Sequence, residues 1–301
     1  MNLSELGPVV VPPVRPQQGG NAVRQPRTTD DRRVDDRTPC VLVAGFNPIS
    51  PLSRGVCTLV FAWRVFDEMP VAVAANRDEV TDRPSEAPSV WDTDPAILAP
   101  RDSSAGGTWI GYNEYGVCAA ITNRWLDEPP AADRSRGLLV RGALGSETAE
   151  DAARLVERAV EADSYDGFNL VVADENAAIY LEWDGSLTVR NVDPSVHVVV
   201  NVGADGRYRI PAFRAEAGRQ QAENADTLRT ALQPEPGESG DAWLDRAGEF
   251  IADHEYGVCI HGDGFGTRSS SLLALSEDDR EYWYADGPPC ETEYERLEGQ
   301  V

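Results

Sequence analysis

Short runs of β-branched and aromatic residues recur along this 301-residue chain, and the gaps within each pair of runs are too short for a parallel crossover. Joining parallel strands takes about a dozen residues, whereas antiparallel neighbours need only a turn. Residues 57–65 and 70–75 are separated by Phe66-Asp67-Glu68-Met69 and predict a hairpin, with Cys57 opening an edge-accessible strand. Residues 108–112 and 117–122 flank Asn113-Glu114-Tyr115-Gly116, a second hairpin signal with glycine at its end. Strands are also expected at 168–173, 178–183, 186–189 and 196–201, and at 258–260, 269–275 and 281–285.

Helices separate these groups. Residues 138–144 lead into 148–162, where Ala152, Leu155, Val156, Ala159 and Val160 recur on one face and Ser146 is the expected cap. Residues 210–232 and 242–252 read as two more helices, divided by Pro234-Glu235-Pro236-Gly237. Groups of strands alternating with pairs of helices predict an α+β fold of layered antiparallel sheets, without an internal repeat.

The chain changes style near residue 56. Residues 1–55 hold seven arginines and five acids, net +2, with Pro-Pro and Gly-Gly pairs and almost no periodicity. The whole chain carries −24, so the remainder carries −26. No lysine occurs anywhere, and an acidic surface without lysine is suited to a high-salt cytoplasm, where screening acts within about 3 Å at 1 M salt. The same balance argues against nucleic acid and anionic membranes, because no basic stripe is present. Residues 1–56 are therefore expected to be a leader before a single domain at 57–301. Its three readings are a gene start called too early, a propeptide and a disordered tail, of which the first is favoured. Valine can be encoded by GTG, and a start at Val56 would place a trimmable methionine before Cys57.

Five cysteines, Cys40, Cys57, Cys118, Cys259 and Cys290, are widely spaced with no C-x-x-C, which implies neither a disulfide framework nor a zinc site. His197, His254 and His261 are not at metal-ligand spacing and read as solvated or core residues. Gly262-Asp263-Gly264-Phe265-Gly266 lacks the lysine and the strand-to-helix setting of a phosphate loop. No apolar run is long enough for a membrane helix, and 9–14 is interrupted by Pro12 and Pro13, unlike a signal peptide. A cytoplasmic protein with a small-molecule substrate or ligand, no cofactor and no metal is the expectation.

Cys57 carries the chemistry. A cysteine with a free α-amine holds nucleophile and general base on one residue, since an amine of pKa about 7.7–8.0 accepts the thiol proton near neutrality. In mid-chain it lacks that base. Cys57-Thr58-Leu59, Ala74-Ala75-Asn76-Arg77-Asp78-Glu79, Arg83-Pro84, Gly106-Gly107-Thr108-Trp109-Ile110-Gly111, Thr122-Asn123, Gly167-Phe168-Asn169-Leu170 and Gly266-Thr267-Arg268 occur in that order. Together they resemble the NRDE family, which includes the transport and Golgi organisation protein 2 homologues, across residues 57–296. Members of that family usually begin Met-Cys, so the resemblance also places the start at Val56.

More distantly, the pattern is similar to the N-terminal-nucleophile hydrolases of the choloylglycine type. That resemblance implies a four-layer αββα sandwich and hydrolysis of amides outside peptides. It makes Cys57 the nucleophile and matches Arg77, Asp78, Asn123, Asn201 and Arg268 to the other polar positions, although the spacing from Cys57 to Arg77 differs from that group's. Asp78 would accept a hydrogen bond from the amine, and Arg77 would lower the thiol pKa. Asn123 and Asn201 would donate to the oxyanion, and Arg268 would balance charge or grip a substrate carboxylate. The other reading is a non-catalytic binding or transfer protein for a lipid, haem or acyl-CoA on the same scaffold.

Overall fold

In a computed structural model of the chain, residues 57–301 are described. The expected leader, Cys40 and the start at Val56 lie outside them. Six strands come first: β1 (Thr58–Trp63), β2 (Val71–Val80), β3 (Ser85–Trp91), β4 (Ile97–Asp102), β5 (Ile110–Asn113) and β6 (Cys118–Asn123). Helices α1 (Arg136–Ala143) and α2 (Ala149–Ala162) precede β7 (Phe168–Ala173), β8 (Ala178–Trp183), β9 (Leu187–Asn191), β10 (Ser195–Val200), β11 (Gly203–Ala204) and β12 (Arg207–Tyr208). Helices α3 (Ala215–Ala231) and α4 (Gly240–Ala252) lead to β13 (Phe265–Leu275), β14 (Arg280–Ala285) and β15 (Glu295–Arg296). The strands form two antiparallel sheets, ordered β12-β11-β10-β1-β2-β13-β14-β15 and β3-β4-β5-β6-β7-β8-β9.

The layers follow from strand periodicity. In β1, Val60 and Ala62 face one core with Leu228 of α3 and Trp243, Leu244 and Ile251 of α4. Leu59, Phe61 and Trp63 face the opposite way, against Leu98, Ile110, Tyr112 and Val171 of the second sheet. That sheet turns Ala119, Phe168, Leu170 and Val172 toward Leu139, Val140, Ala152 and Val156 of α1 and α2. The order is helices, sheet, sheet, helices, the expected αββα arrangement. All six residues of β1 are buried because both faces are covered.

Trp243 anchors the core beneath the first sheet. It is fully buried, its ring packs 6.0 Å from that of Phe66, and its indole N–H donates to the Leu232 carbonyl over 2.8 Å. Trp243→Ala is expected to lower stability by about 3–5 kcal/mol, measured as the shift of the urea unfolding midpoint at constant slope.

Several expectations change. β1 is not an edge-accessible strand: it lies between β10 and β2, so Cys57 is reached from the end of the sheet. Residues 258–260 are irregular, because Asn76 Nδ2 takes the Val258 carbonyl and Thr267 takes both backbone groups of Ile260. The cap of α2 is Thr148, whose hydroxyl accepts from the Asp151 amide at 3.1 Å, while Ser146 sits in the preceding turn. The hairpin of β3 and β4 is additional; β3 is an edge strand with Pro88 at a register shift, so it shows no apolar alternation. Among the described residues no helix is long and apolar enough to cross a membrane.

Candidate active site

Pairing of β1 with β2 aligns Thr58 with Asn76, so the next step along the ladder brings Cys57 beside Arg77. β2 pairs on its other side with β13, where Asp78 faces Thr267 and a register shift leaves Arg268 as the extra residue of a bulge. Cys57, Arg77, Asp78 and Arg268 thus meet at one end of the first sheet. The ends of β6 and β10 supply Asn123 and Asn201.

Cys57 is half-buried, and its backbone nitrogen donates to Asn201 Oδ1 at 3.2 Å. Asn201 is fully buried; its Oδ1 also accepts from Gln221 Nε2 of α3 at 2.9 Å, and its Nδ2 donates to the Asn123 carbonyl at 2.7 Å. Asn201 is therefore oriented with its acceptor toward the Cys57 nitrogen. In the uncleaved chain the single hydrogen of the Cys57 peptide nitrogen is taken by Asn201, and one of the two Asn201 amide hydrogens is taken by the Asn123 carbonyl. The Asn123 side-chain amide makes no hydrogen bond among the described residues and remains a donor open to a ligand.

The Cys57 thiol is pushed up to about 12, mainly by burial and then by the charge of Asp78; Arg77 acts in the opposite direction but is outweighed. Its Sγ lies 3.7 Å from the Asp78 carbonyl oxygen. Held in mid-chain, this thiol carries almost no thiolate at neutral pH and is a poor nucleophile.

Asp78 is 1% exposed, and burial raises its carboxyl pKa well above the ordinary range, against the opposing hydrogen bond from Thr267 and charge of Arg77. Thr267 Oγ1 donates to Asp78 Oδ1 at 2.5 Å, while Oδ2 is buried without a partner. The Arg77 guanidinium stacks 4.1 Å from the centroid of the Trp109 ring, and its buried Nη1 also lacks a partner. Thr58 Oγ1 is a third such atom. Native proteins pair nearly all their buried polar groups. These three orphans belong to residues 58, 77 and 78, which adjoin Cys57 in the chain or in the β1–β2 pairing, and they make this end of the sheet the candidate site.

The crevice at Cys57, lined by Thr58, Arg77, Trp109, Ile110 and Thr122, encloses about 20 Å³. That is room for about one water. Larger hollows of about 960 and 480 Å³ lie elsewhere, beside α4 and beside His197, away from the thiol. The Cys57 crevice is nonetheless the candidate site, because it is lined by the thiol and by Arg77, whose Nη1 is buried without a partner. Arg268 Nε is buried without a partner, and Arg268 and Arg77 both act electrostatically on the Tyr284 phenol.

The sequence motifs find structural reasons. Gly107 lies so close to α1 that an added Cβ would sit 2.3 Å from the Gly137 carbonyl carbon, and this contact brings Trp109 over Arg77. Asn169 is fully buried in β7. It ties the sheets together by donating to Thr122 Oγ1 and the Val200 carbonyl while accepting from Arg124 and Tyr180. His197 is a core histidine, bonded to Asp205 at 2.7 Å and to the Asp193 carbonyl at 2.8 Å. Thr267, Gln221 and Trp109 were not singled out as site residues; Thr267 and Trp109 lay inside recognised motifs, while Gln221 in a polar helix gives no local signal.

A family model described as Transport and Golgi organisation 2 matches residues 56–285. The Transport and Golgi organization protein 2 homolog of Homo sapiens is 27% identical over 265 residues, spanning 79% of this chain and 89% of the human one. Among solved structures, penicillin V acylase from Agrobacterium tumefaciens aligns with a TM-score of 0.49 at 14% identity, over 76% of this chain and 83% of that one. The Caenorhabditis elegans ortholog of N-acylethanolamine-hydrolyzing acid amidase aligns with a TM-score of 0.49 at 11% identity, over 72% and 92%.

Proposed function

The chain belongs to the Transport and Golgi organisation 2 family, and we propose that, with residues 1–56 removed and Cys57 as its first residue, it is a cofactor-free hydrolase of linear non-peptide amides or thioesters. The observation that carries this reading is the environment of the Cys57 nitrogen. A buried amide acceptor, Asn201 Oδ1, already points at it, and the neighbouring Asp78 carboxyl has an unpartnered oxygen and a raised pKa that an adjacent ammonium would relieve. A peptide nitrogen needs neither a counter-charge nor a base-holding cradle; an α-amine uses both.

In the mechanism, the neutral α-amine takes the thiol proton and Cys57 Sγ attacks the substrate carbonyl, forming a C–S bond and moving the carbonyl electron pair to oxygen. Asn201 Oδ1 orients the amine, and the ionised Asp78, held by Thr267, stabilises the ammonium that forms. The unengaged amide of Asn123 and the free Nη1 of Arg77 are the donors available to the developing oxyanion. Collapse breaks the C–N bond, with the ammonium proton passing to the departing amine. Water then attacks the Cys57 thioester, giving up a proton to the α-amine; collapse breaks the C–S bond, the carboxylic acid leaves, and the ammonium returns its proton to the Cys57 thiolate. Arg268, at the bulge, would meet an anionic end of the substrate in this reading.

The test compares two proteins, one beginning at Met1 and one beginning at Cys57, on a panel of acyl amides and thioesters. Turnover is expected only in the second, with release of the free acid. Ligand binding by both without hydrolysis by either would reject the hydrolase and favour the carrier.

A further inference from the structure

Four metal-ligating side chains converge well outside the Cys57 crevice. His254 belongs to the single turn after α4, Cys259 and His261 follow in the irregular segment before β13, and Cys290 comes from the stretch between β14 and β15. One donor atom from each lies within 4.8 Å of all the others. Cys259 Sγ is 3.5 Å from Cys290 Sγ, Cys290 Sγ is 3.0 Å from His261 Nε2, and Cys259 Sγ is 3.8 Å from that nitrogen. The His254 and His261 rings stand nearly perpendicular, at 74°, with centroids 5.1 Å apart.

These are the edges of a ligand tetrahedron. With Zn–S near 2.3 Å and Zn–N near 2.05 Å, tetrahedral angles set S···S at about 3.8 Å and S···N at about 3.5 Å. The three measured edges fall within about 0.5 Å of those values. Two sulfurs and two imidazoles in a tetrahedral set favour zinc over magnesium or calcium, which prefer oxygen. A disulfide between the cysteines, with sulfurs about 2.05 Å apart, would give no part to the two histidines gathered around them.

We propose that His254, Cys259, His261 and Cys290 bind a structural zinc ion. Binding replaces the two thiol protons, which leave to solvent, and the histidines coordinate through neutral nitrogens. Four protein ligands leave no open position for a reacting water. His261 Nδ1 faces Glu291, 4.0 Å away, the kind of outer carboxylate that orients a ligating imidazole. Read along the chain, the histidines were not at ligand spacing and no zinc site was implied; the fourth ligand lies 31 residues beyond Cys259 and arrives only through folding.

The ion would join two segments that both lean on β2. Ile260, beside Cys259, is bonded in both directions to Thr267, which donates to Asp78. On the Cys290 side, the Tyr294 hydroxyl meets Ser270 Oγ at 2.7 Å, and Ser270 donates to Asn76 Oδ1 at 2.7 Å. Zinc therefore acts as a clasp behind the strand that carries Arg77 and Asp78. This proposal does not depend on the hydrolase reading.

The test uses the full chain, stripped with a chelator under reducing conditions and titrated with zinc or cobalt(II). Expected results are about one zinc per chain by elemental analysis, two protons released per zinc in weakly buffered solution, and intense thiolate-to-cobalt and tetrahedral cobalt absorption bands. Cys290→Ser and His261→Ala should each weaken zinc binding by a factor on the order of 100 or more, whereas Cys118→Ser, between the sheets, should leave it unchanged. Absence of cobalt–thiolate bands in the folded wild-type chain would overturn the proposal. So would a Cys259–Cys290 disulfide, found by peptide mass, in protein purified from cells without oxidant. The wild-type titration decides the matter even if a variant fails to fold.

Discussion

In a protein that begins at Cys57, Cys57→Ala is expected to reduce amide or thioester turnover by a factor on the order of 10⁴ or more, because the attacking atom itself is removed. Ligand affinity should change little, since Arg77, Asn123 and Arg268 remain. The companion measurement is the pH dependence of alkylation. In the chain that retains residues 1–56, the Cys57 thiol is held at about 12, so its alkylation should rise about tenfold per pH unit without a plateau through pH 10. Once Cys57 is the first residue, its reactivity should instead level off above the range of about 7.7–8.0 in which an α-amine loses its proton. Cys118, also held at about 12 by burial, supplies an internal reference that should behave alike in both proteins. Equal alkylation of Cys57 and Cys118 in the shortened protein would remove the case for a nucleophile.

That experiment turns on features of unequal visibility in the sequence. The apolar parts of β1, β2, β7 and β8 are legible because they are dense in apolar residues and joined to neighbours by short turns, whereas the polar stretches of β2 and β13 that carry Arg77, Asp78 and Arg268 extend beyond the expected 70–75 and 269–275. The antiparallel pairing followed from those turns. The position of β1 within its sheet did not: β10 is its neighbour through contacts nearly 140 residues apart, and no local pattern encodes that partner. β3 has no signature in the sequence because an exposed edge strand with a proline shows no alternation.

The candidate residues divide in the same way. Cys57, Arg77, Asp78 and Arg268 come together because β1, β2 and β13 are adjacent. Their division of labour was not legible. Whether an asparagine presents its oxygen or its nitrogen depends on its other partners, and Gln221 and the Asn123 carbonyl fix that choice for Asn201. The effect of Arg77 on the thiol was read correctly in sign and too strongly in weight, because burial is a property of the packed layers. The cluster of His254, Cys259, His261 and Cys290 lies at the far end of this scale, with no periodic signal at all.

Asp78→Asn is expected to separate activity from stability. In the protein beginning at Cys57 it removes the counter-charge of the ammonium formed during attack, and turnover should fall by a factor on the order of 10²–10³ with modest change in KM. In the chain retaining residues 1–56 the same substitution should stabilise the fold at neutral pH. The folded-state pKa of Asp78 is raised by burial, so between the unfolded value near 4 and the folded value the native state holds a proton that the unfolded chain has lost. Stability then falls as pH rises through that interval, because the unfolded state binds fewer protons. An amide of the same shape does not titrate, keeps an acceptor for the Thr267 hydroxyl and ends that loss. Thermal unfolding at pH 4 and pH 7 should therefore show Asp78→Asn gaining on the parent chain as pH rises, and by less once Cys57 carries a free amine to pair with the carboxylate. An unchanged difference between the two lengths of chain would mean that Asp78 does not sense the amine, and its part in the mechanism would fall with that result.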